Sequence, residues 1–339
     1  MPRTLLIGGP GNISTSAVSE LLANNHKVAI FTLAESPSLG FERKGVTFHR
    51  GTRDNPAELD AAVCAFKPDC VIDFVCFTPK QAEAAAKIAR NRCGHYVFVS
   101  TVDIYGYPLS RVPMRESDPF NAPFGEYATN KRLCENVFQS YRKKKNLPLT
   151  VVRPAYSFGN SFVLSYLDYG GGKHLVPRIR EGKPLPVPGD GTTLMHVSAS
   201  YNTGRQIATV AMSGKTIGRS YTVGHETWTT VDGYYRMMGN ALGHEPVLVH
   251  VPTDLLFSLN MNEIRYSPLG ILCRHNLAFS PENFQKDFPA FRWEMSLERW
   301  FKKYIAYHDK KGGFPSTRRK TLEDRVVVAY QKATKRFSL

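Results

Sequence analysis

Over the first 155 positions, short apolar runs alternate with stretches of helical spacing. Residues 4–8 form an apolar run that closes on Gly8, Gly9 and Gly11, and residues 16–25 then place Val18, Leu21 and Leu22 on one face. The run KVAIF (27–31) predicts a strand, and 56–66 a helix with Leu59, Val63 and Phe66 on its apolar side. A strand at 69–74, an Ala-rich helix at 80–91, a strand at 96–100 (YVFVS), a helix at 126–143 and a strand at 149–153 follow. Strands that are apolar throughout are those covered on both faces. Their alternation with helices predicts an α/β fold, a doubly wound parallel sheet.

After Pro154 the pattern loosens. Residues 162–180 read as helical, followed by the Pro/Gly segment GKPLPVPGDG (182–191). A helix at 204–212, a strand at 220–223, a helix at 231–242 and a strand at 247–251 come next. The aromatic-rich stretch 284–308 turns helical near its end. This half reads as a smaller C-terminal substrate lobe, 156–308, interleaved with a core spanning 1–155. The basic C-terminal tail, 309–339, carries from residue 310 on nine basic residues against two acidic ones and there begins KKGGFPSTRRK, the composition of a linker and basic tail. Such a tail is either solvated or an arm for nucleic acid or acidic lipid.

Composition narrows the classes. Of 339 residues, 42% are hydrophobic and 22% charged, which excludes a disordered chain. No run approaches the roughly 18–20 apolar residues of a membrane helix, and the first ten residues lack a signal-peptide h-region. A cytoplasmic protein is expected. The six cysteines form no CxxC pair and no zinc-ligand spacing with histidine, so neither a metal site nor a disulfide framework is expected.

Two constellations carry chemistry. The first is LLIGGPGNIS (5–14), between a strand and a helix. Glycines there let backbone approach a pyrophosphate, and the helix N-terminus supplies oriented N–H groups. The third glycine of the pattern is replaced by Ser14, small enough for close helix–strand packing. The second is Tyr127-Ala-Thr-Asn-Lys131, preceded by the strand end STVDIYG (100–106). Residues four apart share a helix face. An ammonium beside a phenol favours phenolate, which fits Tyr127 for proton exchange near neutral pH, with the Thr101 hydroxyl on the same substrate oxygen.

These segments, with VVRPAYSFG (151–159), VPRIREGKPLPVPGDG (176–191) and the stretch 221–243, resemble the extended short-chain dehydrogenase/reductases, the NAD-dependent epimerase/dehydratase group, over about residues 3–308. The resemblance implies a Rossmann-type fold and NAD or NADP as cofactor. It implies Thr101, Tyr127 and Lys131 as the catalytic set, with Lys131 also touching a ribose. Gly8, Gly11, Asn12, Ile13, Thr32, Arg53, Tyr127, Lys131 and Pro154 would line the cofactor. The expected function is hydride transfer at a carbinol or carbonyl of a sugar-like or hydroxylated small molecule. An NADPH-dependent ketoreductase of a secondary metabolite and a non-catalytic nucleotide-binding protein contacting RNA through the basic tail are the alternatives. The intact Thr–Tyr–Lys set argues against a nucleic-acid partner, and a homodimer is an expectation.

Departures from the group matter as much. Where NAD-preferring relatives carry an acidic residue after the second strand, this chain has Thr32 and Leu33. Arg53, in GTRD (51–54), is a candidate for adenine stacking or a 2′-phosphate, or else a solvated loop residue. Loss of the acid favours NADP over NAD. The Arg that clamps a nucleotide diphosphate in sugar epimerases is replaced near Thr192, with Arg178 a substitute. On the substrate side, Asp103 is a polyol contact or a capping carboxylate, Tyr156 a nicotinamide or substrate cover or a core aromatic, and His196 a substrate contact or a structural histidine. No Asp-Glu pair directly follows Thr101, so dehydration is the least supported outcome.

Overall fold

The apolar runs of the first half become strands of one parallel sheet. The computed structural model describes residues 1–33, 45–160, 163–167, 172–316 and 321–335. In chain order, β1 (Arg3–Ile7), α1 (Ser14–Ala23), β2 (Lys27–Thr32), β3 (Val46–Arg50), α2 (Pro56–Phe66), β4 (Cys70–Asp73), α3 (Pro79–Ala89), β5 (His95–Val99), α4 (Gly125–Lys145) and β6 (Leu149–Pro154) build it, and the strand Ser220–Val223 completes it. The spatial order is Ser220–Val223, β6, β5, β4, β1, β2, β3, all parallel. Direction of travel reverses between β1 and β4, the switch point at which such sheets bind dinucleotides. The buried positions Leu5, Ile7, Ala29, Phe31, Val71, Phe98 and Val151 form the core that the helices cover.

Local sequence explains the helix starts. Asn55 accepts from Ala57 N, with Pro56 opening α2. Thr78 and Gln81 form a reciprocal capping box around Pro79 at the start of α3. The strand β3 has no counterpart in the apolar pattern. It lies at the sheet edge, where VTFHR stays largely exposed and the two-sided burial that marks the other strands is absent.

This unit takes in residues 1–157, 200–225 and 279–292. The helix Ser200–Ala211, longer at its start than the spacing indicates, packs on α1. Gly204 makes the approach feasible, because a Cβ there would stand 2.4 Å from the Ile13 carbonyl oxygen.

The second unit spans 158–199, 226–278 and 293–339. Its helices Val231–Leu242 and Leu297–Lys310 pack together, with Tyr234 and Phe301 rings 5.3 Å apart. Leu185–Pro188 pairs in parallel with Leu248–Val251. The helix expected over 162–180 is confined to Leu175–Arg180. Residues 163–167 are not helical, and 161–162 and 168–171 lie outside the described residues.

The basic C-terminal stretch also differs from a free tail. Leu322–Lys335 is a helix with Val326 and Val327 buried. Its two acidic residues tie it down: His174 Nε2 lies 2.6 Å from the Glu323 carboxylate, and Arg178 donates to Asp324 at 2.9 Å. Arg318, Arg319, Lys320 and Arg336 lie outside the described residues. Among the described residues no helix is long and apolar enough to cross a membrane. Cys70, Cys76, Cys134 and Cys273 are buried thiols, whereas Cys64 is exposed.

Candidate active site

Because the strands are parallel, β1, β4, β5 and β6 deliver Gly8, Asp73, Thr101 and Pro154 to one edge of the sheet. Gly8 and Gly9 adopt φ of +91° and +126°, a region that disfavours side chains. A Cβ on Gly8 would lie 2.5 Å from Val75. Gly11 differs: a Cβ there would meet no protein atom nearer than the Ser14 hydroxyl at 3.5 Å. The space beside Gly11 is therefore open. Ser14 is buried, and its hydroxyl accepts from Gly11 N at 2.8 Å, so it pins the turn to the helix in place of a third glycine. Ile13 occupies the N-cap of α1 and Asn12 precedes it, and no side chain caps this ten-residue helix. An uncapped helix start facing an open glycine turn fits a pyrophosphate.

The adenosine end departs from expectation. Thr32 closes β2, and residues 34–44 lie outside the described residues. Arg53 is not a solvated loop cation. It is buried, its Nη1 paired with Asp73 and its Nη2 donating to the Gln81 carbonyl at 3.3 Å. Asp73 also accepts from Tyr96 at 2.6 Å. The ion pair holds the Arg53 cation firmly, and burial with Asp73 raises the Tyr96 phenol well above its ordinary value. A guanidinium committed in this way is not presented to a 2′-phosphate.

The structure brings Thr101 and Tyr127 together. Thr101 follows β5, its hydroxyl accepts from Asp103 N at 3.2 Å, and it lies close enough to the Tyr127 phenol to favour the phenolate slightly. Tyr127 stands in the first turn of α4, half-exposed, with the Phe77 ring 6.4 Å away. Lys131, one turn on, is buried. Its ammonium donates to the Val99 carbonyl at 2.7 Å and the Cys76 carbonyl at 3.0 Å, over the rings of Phe98 and Phe77. Burial lowers its pKa.

The expected lowering of the tyrosine by this lysine is not realised. Desolvation and the Asp103 carboxylate push the Tyr127 phenol up to about 12, against a smaller downward pull from the Thr101 hydroxyl. The reason is geometric: Lys131 is turned to two carbonyls.

Asp103 is more than a capping carboxylate. Tyr156 donates to its Oδ1 at 2.6 Å and Tyr107 at 2.9 Å, and the two phenol oxygens lie 2.8 Å apart. Tyr156 is therefore a polar member of the site as well as an aromatic. Tyr107 escaped the sequence reading because it lies in an irregular stretch with no periodicity to place it. The other two substrate candidates lie in the second unit. Arg178 is fully buried, bonded to Thr321, Asp324 and the Pro184 carbonyl. His196 is fully buried, with the Trp228 ring edge-on at 6.3 Å. Among the described residues no group of three acidic, histidine or cysteine side chains is placed to hold a metal ion.

A doubly wound sheet with a glycine turn at its first crossover and a Tyr–Lys pair at the same edge defines a Rossmann-type dinucleotide-binding protein. Residues 4–199 match the model of the NAD dependent epimerase/dehydratase family, and the chain belongs to that family. Over 138 residues it is 31% identical to a 2′-dehydrokanamycin reductase of Streptomyces kanamyceticus, a match covering 41% of this chain and 38% of that one. Over 175 residues it is 26% identical to a UDP-glucose 4-epimerase of Rhizobium meliloti (strain 1021), covering 47% and 52%. The chain thus spans about half or less of the length of these relatives. Among solved structures it is similar to a dTDP-glucose 4,6-dehydratase of Bacillus anthracis in complex with NAD, with TM-score 0.72, 18% identity, and 91% and 97% of the two chains covered.

Proposed function

We propose that the chain is an NAD(P)-dependent oxidoreductase that reduces a carbonyl on a sugar-like or polyhydroxylated small molecule. The observation that carries this reading is the placement of Thr101, just after β5, and Tyr127, in the first turn of α4, at the sheet edge where the Gly8–Ser14 turn fits a pyrophosphate. When bound, the nicotinamide supplies or accepts a hydride. The protein's part is the proton. Thr101 and Tyr127 hold the carbonyl oxygen between two hydroxyls, and Tyr127 donates its proton as the oxygen becomes an alkoxide. Lys131, one turn on in α4, is fixed by two carbonyls at the ends of neighbouring strands.

Two observations favour a reductase over a nucleotide-sugar epimerase. Arg178, the expected substitute for a diphosphate clamp, is buried and committed to Asp324. The relative from Streptomyces kanamyceticus, a reductase by name, points the same way. Cofactor choice rests on Thr32 alone, since Arg53 is paired. With no carboxylate closing β2, NADP(H) is admitted along with NAD(H).

The test is consumption of NADPH and NADH with a panel of keto sugars and keto aminosugars, beside calorimetric titration of each cofactor. Turnover with a keto sugar, and loss of cofactor binding in Gly11→Val, are the expected results. Full cofactor affinity in Gly11→Val, or no turnover with any carbonyl by a chain that binds cofactor, defeats the reading.

A further inference from the structure

We propose that Asp103, held by the phenols of Tyr107 and Tyr156, is a specificity-determining residue that takes an ammonium group of the substrate, so that the site selects an amino sugar or amino polyol over its neutral counterpart. This rests on the reading of Thr101 and Tyr127 as the place of carbonyl reduction, and it names the class of molecule that place takes.

The geometry is a convergence of oxygens. Tyr156 donates to Asp103 Oδ1 at 2.6 Å and Tyr107 donates to the same atom at 2.9 Å, with the two phenol oxygens 2.8 Å apart. The carboxylate is thereby fixed in orientation by neutral donors alone. Both phenols spend themselves on Oδ1, and among the described residues Oδ2 accepts no hydrogen bond. Asp103 is half-buried, so a ligand reaches it.

Charge sets this residue apart from other acids of the same unit. Asp73 pairs with Arg53, Glu135 with Arg153 at 2.8 Å and Asp287 with Arg219 at 2.6 Å. Asp103 forms no ion pair among the described residues. Lys131, the ammonium of the site, is spent on the carbonyls of Val99 and Cys76. A ligand hydroxyl would add a third neutral donor to the two phenols. An ammonium adds the charge they lack, and hydrogen bonds to an ionised partner are about twice as strong as neutral ones. A guanidinium needs both carboxylate oxygens for its fork, and Oδ1 already serves two phenols. A metal ion is not favoured either, because no group of three ligating side chains stands among the described residues.

Position ties this subsite to the reacting centre. Asp103 follows Thr101 by two residues, and its backbone N donates to the Thr101 hydroxyl at 3.2 Å. Tyr156 follows Pro154, the last residue of β6, by two residues. The ends of the adjacent parallel strands β5 and β6 thus supply the carboxylate, one of its donors and Thr101 at one edge of the sheet. An amino group bound there lies on the same small ring or chain as the carbonyl. The ammonium makes and breaks no bond in the reaction. It anchors the molecule, and the hydride and proton go where they would go without it.

The test is a comparison of ligands that needs no turnover. The full-length chain, saturated with whichever of NAD⁺ and NADP⁺ binds tighter, is titrated with D-glucosamine, N-acetyl-D-glucosamine and D-glucose, and binding is followed by NMR. Glucosamine should bind about tenfold tighter than the other two, the difference between a charge-assisted and a neutral hydrogen bond. Acetylation keeps the nitrogen and removes the charge, so it separates charge from shape. Asp103→Asn should abolish the preference, whereas a residue that only supports the fold would weaken all three ligands alike. Should Asp103→Asn fail to fold, the wild type decides: the preference must vanish as pH rises past the pKa of the glucosamine amine. Equal affinities, no binding of glucosamine, or a preference that survives either in Asp103→Asn or at high pH overturns the proposal. Turnover of neutral keto sugars without any preference for the amine refutes this inference and leaves the reductase reading standing. A preference for glucosamine in a chain that turns over no carbonyl does the reverse.

Discussion

Arg178 donates to the Asp324 carboxylate at 2.9 Å across 146 positions of chain. A second link of the same kind runs from His174 to Glu323. Both carboxylates lie in the first turn of the helix Leu322–Lys335, and both partners stand at or beside the short helix Leu175–Arg180. A segment that composition marks as a solvated basic tail is thus fastened within the second unit by the two acidic residues of its helix, Glu323 and Asp324.

Loss of Arg178 is expected to be costly. Its side chain is wholly buried and also holds the Thr321 hydroxyl and the Pro184 carbonyl. Arg178→Ala should destabilise the protein by about 3 kcal/mol, at the low end for a broken buried pair because Asp324 remains partly wet. Chemical denaturation measures it, and a loss of about 0.5 kcal/mol or less contradicts the account.

Acid should release this helix. Hydrogen bonds and charge from His174 hold Glu323 below its ordinary 4.5 despite burial, and Arg178 and Thr321 do the same for Asp324 below 3.8. A carboxylate with a depressed folded-state pKa binds its proton more readily when unfolded. Its stabilisation is complete above those ordinary values and is lost as pH falls through the folded ones. Amide hydrogen exchange should therefore show 322–335 losing protection below about pH 4. Constant relative protection between pH 6 and pH 3 would count against it.

Tyr127→Phe removes the proton donor while leaving the ring beside Phe77. Turnover should drop by roughly 10²–10⁴-fold. Stability should change by no more than about 0.5 kcal/mol, because the residue is half-exposed. Near-normal turnover in a folded variant would remove Tyr127 from the reaction.

Cofactor choice is addressed at the end of β2. Thr32→Asp places a carboxylate where a 2′-phosphate would approach, so NADP(H) should weaken at least tenfold, about 1.4 kcal/mol, with NAD(H) unchanged or tighter. Parallel calorimetry with both cofactors decides it. Equal weakening of both would mean that Thr32 does not face the ribose.

Much of the fold was legible because burial on both faces leaves an unmistakable apolar run. β1, β2, β4, β5 and β6 all carry one, and the edge strand β3, with its exposed VTFHR, does not. Thr101, Tyr127 and Lys131 were legible through spacing. What spacing cannot tell is which way a side chain turns. Lys131 faces carbonyls instead of the phenol, and Arg53 turns inward to Asp73 instead of outward to a cofactor. In each case a partner remote in sequence decides the orientation. The Asp103–Tyr107–Tyr156 cluster joins residues up to 53 positions apart through an irregular stretch, and no periodic pattern marks it.

Gly204 has a consequence for how the chain is made. The first helix and the glycine turn leave the ribosome early, yet the surface that packs on them arrives with Gly204, and the outermost sheet strand beside β6 with Ser220–Val223. At roughly 5–20 residues per second, the nascent chain waits on the order of ten seconds between them. During that interval the apolar flank of α1 and one edge of β6 are uncovered. The nucleotide-binding half is early in the gene but late to mature, and a chain halted near residue 157 would present these surfaces to chaperones.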